Sequence, residues 1–298
     1  MSQEVVLITG GSGMYAQALA EALTPTYQVR FLSRKADKPN HFLWDIDKGY
    51  IANNALIGVQ HIVHLAGASI GEKRWTKSRK QEILDSRITS AKLLFQSVKQ
   101  HNIKLKTFVS ASAVGYYGSV TSQNIYTENS TLGNDFLSDV CQQWEQAADA
   151  FTEVSDRVLK LRLGVILSNR GGILATLLPI FNKGLAQVMG NGKQWIPWID
   201  LDDLVRVTLF LMHHNLTSGI YNVVAPEHIT NKKFTHTLAK IVGKRVVLPA
   251  LPAIILKIIL GEASVLMLEG SRVEAQRLEE LGFEFQCKTL EQSLRKWV

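Results

Sequence analysis

The chain has 298 residues, 46% apolar and 20% charged, an ordinary globular composition near the upper size limit of a single core. Its net charge of +7 is spread without a Lys/Arg block, which argues against nucleic-acid binding. Two distant cysteines, Cys141 and Cys287, lack metal-ligand spacing and support neither a zinc site nor a disulfide framework.

The chain enters a buried strand over residues 4–8 almost at once, with no charged leader ahead of a long apolar segment. No signal peptide and a cytoplasmic location are therefore expected. A helix over 15–24 follows, then a second strand over Val29–Leu32 and a short third at Phe42–Trp44. His61–Leu65 reads as the fourth strand. A long amphipathic helix covers about 76–100, a fifth strand Lys106–Ser110, a helix about 134–152, and a sixth strand Val158–Ile166. This alternation predicts an α/β fold: a Rossmann-type parallel sheet with helices on both faces.

After Ser168 the rhythm changes. Gly171-Gly172 opens a helix to about 183, a Gly-rich turn lies at 190–192, and Asp202-Asp203 stand as N-cap and first-turn charge before a helix to about 214. Gly219–Val224 is one more strand. The tail, 228–298, is helical and broken by Pro249 and Pro252. Its most apolar stretch, Val246–Leu256, is too short to span a bilayer. The expected division is 1–168, with about 195–227, as a nucleotide-binding domain. Residues 169–194 and 228–298 then form a smaller C-terminal lobe.

Thr9-Gly10-Gly11-Ser12-Gly13-Met14-Tyr15-Ala16 lies directly after a strand and before a helix, the context a dinucleotide fingerprint requires. Gly10 suits the tight turn, Gly13 lets the backbone approach a pyrophosphate at the helix N-terminus, and Ala16 permits close helix–strand packing. The second strand ends in Ser33-Arg34-Lys35 where an NAD site carries an acidic residue. Arg34 suits a 2′-phosphate and adenine stacking, and Ser33 adds a hydroxyl, so NADP(H) is the expected cofactor. Asp45 is a candidate partner for the adenine amine or a plain loop residue. Leu65-Ala66-Gly67-Ala68 ends the fourth strand with small residues that let the cofactor approach.

Thr9-Gly10-x-x-Gly13-x-x-Ala16, His64-Leu65-Ala66-Gly67 and Ser110-Ala111-Ser112-Ala113-Val114-Gly115-Tyr116-Tyr117-Gly118 resemble the extended short-chain dehydrogenase/reductase superfamily. Arg74-Trp75-Thr76, Ile83–Arg87, Asp135-Phe136-Leu137 through Cys141 to Trp144-Glu145, and Gly171-Gly172 narrow the likeness. So do Trp198–Leu204, Ala225-Pro226, Gly261-Glu262, Ser271-Arg272-Val273 and Leu281-Gly282-Phe283. Together they resemble its sugar-epimerase-like "epimerase family protein" subfamily over nearly the whole chain. The resemblance implies an NADP(H)-binding Rossmann domain, a small C-terminal lobe and, by analogy, a monomer or a homodimer.

Active members of the superfamily carry Tyr and Lys four residues apart on one helix and a Ser from the preceding strand-loop; the Tyr exchanges a proton with substrate while hydride moves. Ser112 matches the Ser. Anchoring the helix on Glu145 puts Cys141 where Lys belongs and Leu137 where Tyr belongs, and no Tyr-x-x-x-Lys occurs in the chain. Candidate replacements are Tyr116, Tyr117, Cys141 and Asp135; aromatic packing and a buried thiol are the alternatives. The subfamily commonly has His where this chain has Asp200.

Arg74, Trp75, Trp195 and Trp198, with Arg87 and Arg162, are candidates for the substrate side, suited to a ring-bearing or anionic compound. Two functions remain: an NADP(H)-dependent oxidoreductase or epimerase-like enzyme on a small carbonyl or sugar-like substrate, or an NADP(H)-binding sensor or scaffold without turnover. No nucleic acid, metal or membrane span is expected.

Overall fold

A computed structural model describes residues 3–214 and 218–298. β1 (Val5–Thr9) is buried at every position, as an unbroken apolar strand covered on both faces should be. It leads through α1 (Met14–Leu23) to β2 (Gln28–Ser33), β3 (His41–Asp45) and β4 (Tyr50–Ile51). β5 (Val59–His64) runs through α2 (Lys77–Gln100) to β6 (Thr107–Ala113). After β7 (Ile125–Tyr126), α3 (Phe136–Asp149) leads to β8 (Val158–Leu163). Then come β9 (Val165–Leu167), α4 (Gly172–Asn182), β10 (Trp198–Asp200), α5 (Leu201–His213) and β11 (Gly219–Val223). The tail holds α6 (Asn231–Ile241), α7 (Ala253–Leu260), α8 (Val265–Leu268), β12 (Arg272–Val273), α9 (Gln276–Glu280) and α10 (Leu290–Trp297).

The main sheet has eight strands in the order β11-β8-β6-β5-β1-β2-β3-β4, parallel except for β4. The expected Rossmann-type α/β fold is the one observed. Val6, Ile8, Leu159 and Tyr221 pack on one face with α1, α5 and Val273–Phe285 of the tail. Leu7, Ile62 and Phe108 pack on the other with α2 and Phe151, whose ring stacks on Phe108 at 3.5 Å. A further core joins Leu174 and Phe181 of α4 to Phe234, Leu238, Leu290 and Leu294. The chain winds outward in both directions from β1 and β5, so the crevice beyond their C-terminal ends is the switch point where such sheets bind ligands.

Three expectations need correction. The two-residue β4, too short to carry a periodicity, makes the expected fourth strand the fifth in sequence. The sixth strand breaks at Gly164, where a Cβ would lie 2.7 Å from the Pro197 carbonyl oxygen. β8 stays in the main sheet while β9 pairs with β10 in a separate sheet. The N-cap of α5 is Asp200, which accepts from the Asp202 N–H at 2.9 Å; Asp202 and Asp203 lie inside the first turn. Among the described residues no helix is long and apolar enough to cross a membrane, and no cluster of His, Cys, Asp or Glu could hold a metal ion.

Asp200 also joins α5 to α10. It accepts from Ser293 Oγ and Trp297 Nε1 at 2.7 Å and from Lys296 Nζ at 2.9 Å. Burial alone would raise its pKa, but these donors, Lys296 foremost, hold it below the ordinary Asp value. A lowered folded pKa stabilises the fold above the unfolded carboxyl's value of about 4 and is lost as the pH falls through the folded value. Asp200→Ala leaves buried donors unpaired and should cost about 3–5 kcal/mol, read as a fall in the urea midpoint at pH 7. The difference from wild type should shrink as the pH drops below about 4.

Candidate functional site

At the crevice, Gly10 has φ +72°, and a Cβ there would lie 2.8 Å from the Leu65 carbonyl oxygen. Only glycine turns the chain this close to the end of β5. The turn closes through Gly13 N–H to Gly10 O at 2.9 Å and delivers the N-terminus of α1 with no capping side chain and no acid in its first turn. Its unpaired amides and positive dipole end suit a phosphate group. Ser12 and Gly13 are exposed, Met14 is half-buried, and Met14 packs on Gly171 and Gly172 at the start of α4. That contact links two glycine-rich segments 160 residues apart, which no local motif signals.

Not every residue of the fingerprint faces the crevice. Thr9 is fully buried; its Oγ1 accepts from the Leu65 and Ala66 N–H groups at 3.0 Å, so its proton goes to His64 Nδ1 at 2.9 Å. His64 Nε2 then carries the ring proton and donates to Ser90 Oγ at 3.2 Å. Burial lowers the His64 pKa to about 4 and keeps it neutral. Thr9 therefore clamps β1 to β5 and does not offer its hydroxyl to a ligand. Tyr15 turns into the core and hydrogen-bonds Thr208 at 2.6 Å, so its phenol is no cofactor contact either.

At the end of β2, Ser33 is half-buried, and Arg34 and Lys35 are exposed without a carboxylate partner among the described residues. Asp45 Oδ1 accepts from the Lys48 N–H at 3.1 Å and closes the turn into β4. Ala66 is buried, Leu65 and Ala68 half-buried, and Gly67 exposed beyond β5.

The strands that end at the other half of the crevice hold a buried polar network. Arg162 of β8 is 1% exposed and grips Glu145 of α3 with two nitrogens at 2.8 and 2.9 Å. Ser112 donates to the same carboxylate at 2.8 Å. Arg162 also donates to Tyr117 Oη at 3.0 Å, and Tyr117 donates to Asn222 Oδ1 at 2.6 Å. Burial pushes the Tyr117 pKa up to about 12. Ser112 and Tyr117 are thus committed to an internal ion pair rather than presented to a substrate.

Tyr116 is different. Its half-buried ring lies 3.4 Å from the Arg162 guanidinium carbon, and among the described residues nothing hydrogen-bonds its hydroxyl. Cys141 is 4% exposed, and burial followed by the Glu145 charge raises its pKa to about 12, so it is no nucleophile at neutral pH. A Cβ on Gly115 would lie 3.3 Å from Leu137 and 3.6 Å from Cys141 Sγ. Leu137 and Cys141 therefore line the end of β6 with apolar groups. Asp135 caps α3 in a capping box with Ser138 and accepts from the Ser119 N–H at 2.7 Å, a structural duty.

The aromatic candidates do not gather into one opening. Trp198 is fully buried with Nε1 donating to the Glu227 carbonyl oxygen, and β10 is buried at every position. Trp75 is buried and donates to Ile70 O at 2.9 Å. Trp195 is half-buried, donates to Ser122 O at 2.7 Å and lies under Arg272. Arg74 is exposed near Gly261. Arg162, expected on the substrate side, is instead buried against Glu145 and Tyr117; neither Glu145 nor Asn222, which accepts from Tyr117, carries a local sequence signal of this network. Removing the cation by Arg162→Met leaves Glu145 buried and uncompensated. That should cost about 3–5 kcal/mol in chemical denaturation, and Glu145→Gln in the same chain should recover part of it.

Residues 6–224 match the model of the NAD dependent epimerase/dehydratase family, and residues 251–297 match a domain of unknown function. An epimerase family protein of Mycobacterium leprae is 36% identical over 293 residues, covering 97% of this chain and 94% of its own. One from Staphylococcus aureus is 34% identical over 301 residues, covering 98% of each. The crystal structure of a human epimerase family protein with NADPH superposes with a TM-score of 0.89 at 29% identity, over 98% of both chains. With a glycine turn, an uncapped helix and a parallel sheet laid out as described, the chain belongs to the NAD(P)-binding NAD dependent epimerase/dehydratase family, among the epimerase family proteins of the extended short-chain dehydrogenase/reductases.

Proposed function

We propose that this chain binds NADP(H) along the ends of β1, β2 and β5 and acts as an oxidoreductase or epimerase-like enzyme on a small carbonyl or sugar-like substrate. The observation that carries the proposal is the acid-free, uncapped start of α1 beside the exposed pair Arg34-Lys35. The first-turn amides of α1 would hold the pyrophosphate, and Arg34, which no carboxylate among the described residues neutralises, would pair with the 2′-phosphate. The related human protein solved with NADPH supports this choice of cofactor. When bound, NADP(H) supplies hydride exchange at its nicotinamide ring.

Proton transfer falls to Tyr116, whose hydroxyl, unlike that of Tyr117, is held by nothing among the described residues. The Arg162 guanidinium carbon lies 3.4 Å from the centre of the Tyr116 ring. A second reading, nucleotide binding without turnover, draws on the commitment of Ser112, Tyr117 and Cys141 to internal packing.

Calorimetric titration should give tighter binding of NADPH than of NADH. Arg34→Ala should weaken NADPH on the order of tenfold and leave NADH nearly unchanged; equal loss for both nucleotides would remove the 2′-phosphate assignment. NADPH oxidation against aldehydes, quinones and keto-sugars separates the two functions. Where a substrate turns over, Tyr116→Phe should lower kcat by about 100-fold or more. Tight binding with no turnover across the panel would favour the sensor or scaffold.

A further inference from the structure

Arg87 of α2 is 6% exposed, yet among the described residues no carboxylate pairs with it. The other buried arginine of this helix, Arg79, has Glu82 at 2.6 Å. Arg87 has only dipoles and a ring: Nη2 donates to Ala68 O at 3.0 Å, Nη1 to Ile83 O at 2.9 Å, and the guanidinium lies 4.9 Å from the Trp144 ring centre. Among the described residues its Nε has no hydrogen-bond partner. Burial lowers its pKa to about 10, still charged at neutral pH. A buried charge without a counter-ion destabilises a fold, so one retained here calls for a role outside the protein's own packing.

Its position supplies that role. A Cβ on Gly67 would lie 2.9 Å from the guanidinium carbon, so the cation packs directly under Gly67, which is exposed beyond β5. It also faces Cys141 and Trp144 of α3. In a doubly wound sheet the two mononucleotide halves divide at the switch point. With adenosine on the β1–β2 side, the nicotinamide half lies across the ends of β5 and β6, above this charge. An oxidised nicotinamide ring is cationic and a reduced one neutral.

We propose that Arg87 supplies, from α2, the positive charge at the nicotinamide half of the crevice, and that this charge makes the chain bind reduced NADPH in preference to oxidised NADP+. The proposal rests on the NADP(H) assignment above. Arg87 acts through its field as a positioning residue, since it is sealed beneath Gly67. The two nucleotides share their pyrophosphate and 2′-phosphate, so the ratio of their affinities cancels every contact except those that sense the ring.

The test is calorimetric titration of wild type, Arg87→Met, Arg87→Lys and Gly67→Ala with NADPH and NADP+. Wild type should prefer NADPH on the order of tenfold. Arg87→Lys should keep most of that preference. Arg87→Met should bring the ratio close to one, and Gly67→Ala, whose methyl displaces the guanidinium, should lower it even where the Arg87→Met chain does not fold. Equal wild-type affinities would overturn the proposal. So would an unchanged ratio in Arg87→Met or Gly67→Ala with both affinities weakened together, the mark of a mere loop clamp. Binding of neither nucleotide to wild type would overturn the NADP(H) assignment and this proposal with it.

Discussion

Arg162 projects from β8, a strand in the body of the sheet, where its charge cannot reach water. An arginine so placed needs an anion within the fold, and Glu145 of α3 supplies it through two hydrogen bonds below 3 Å. The pair sets the stagger of α3 against β6 and β8, draws in Ser112, and holds Tyr117 against Asn222 of β11. Four elements from distant parts of the chain are registered by one buried charge. The same pair holds the hydroxyl of Ser112, the residue whose place in the motif implied a proton-transfer role.

The two halves of the crevice are built on opposite principles. The half at β1 and β2 is backbone: a left-handed glycine and helix amides without a cap. The other half is side chain, and its polar groups are mostly satisfied by one another. Among the described residues nothing hydrogen-bonds the Tyr116 hydroxyl, and Gly67 is exposed beyond β5. Leu137 and Cys141 make its α3 wall apolar, and charge reaches it from α2 and β8 instead.

Buried charges also fix the far end of the molecule. Asp200 gathers Ser293, Lys296 and Trp297, so the last helix of the chain is pinned to the start of α5. Asp203 accepts from the Gln286 and Cys287 N–H groups, which ties the preceding loop to the same helix. Through α5 the tail is packed against α1.

The alternation of apolar strands and amphipathic helices, the glycine turn after β1 and the Arg34-Lys35 pair were legible because each is a local pattern: period, turn chemistry and charge lie within a dozen residues. That sufficed for the parallel sheet and for the glycine turn that opens α1. The direction of a side chain is not local. Trp198 looked like a wall of an opening, yet it is fully buried; Thr9 and Tyr15 belong to the fingerprint, yet point into the core. Local pattern marked the glycine turn and the longer strands of the main sheet, but not the two- and three-residue β4, β7, β10 and β12. Only the tertiary structure decided which polar groups are consumed by partners 33 to 105 residues away, as Ser112 is by Glu145 and Tyr117 by Asn222. The physical reason is that a buried charge or hydroxyl takes whatever partner the packing brings, and spacing along the chain does not encode that encounter.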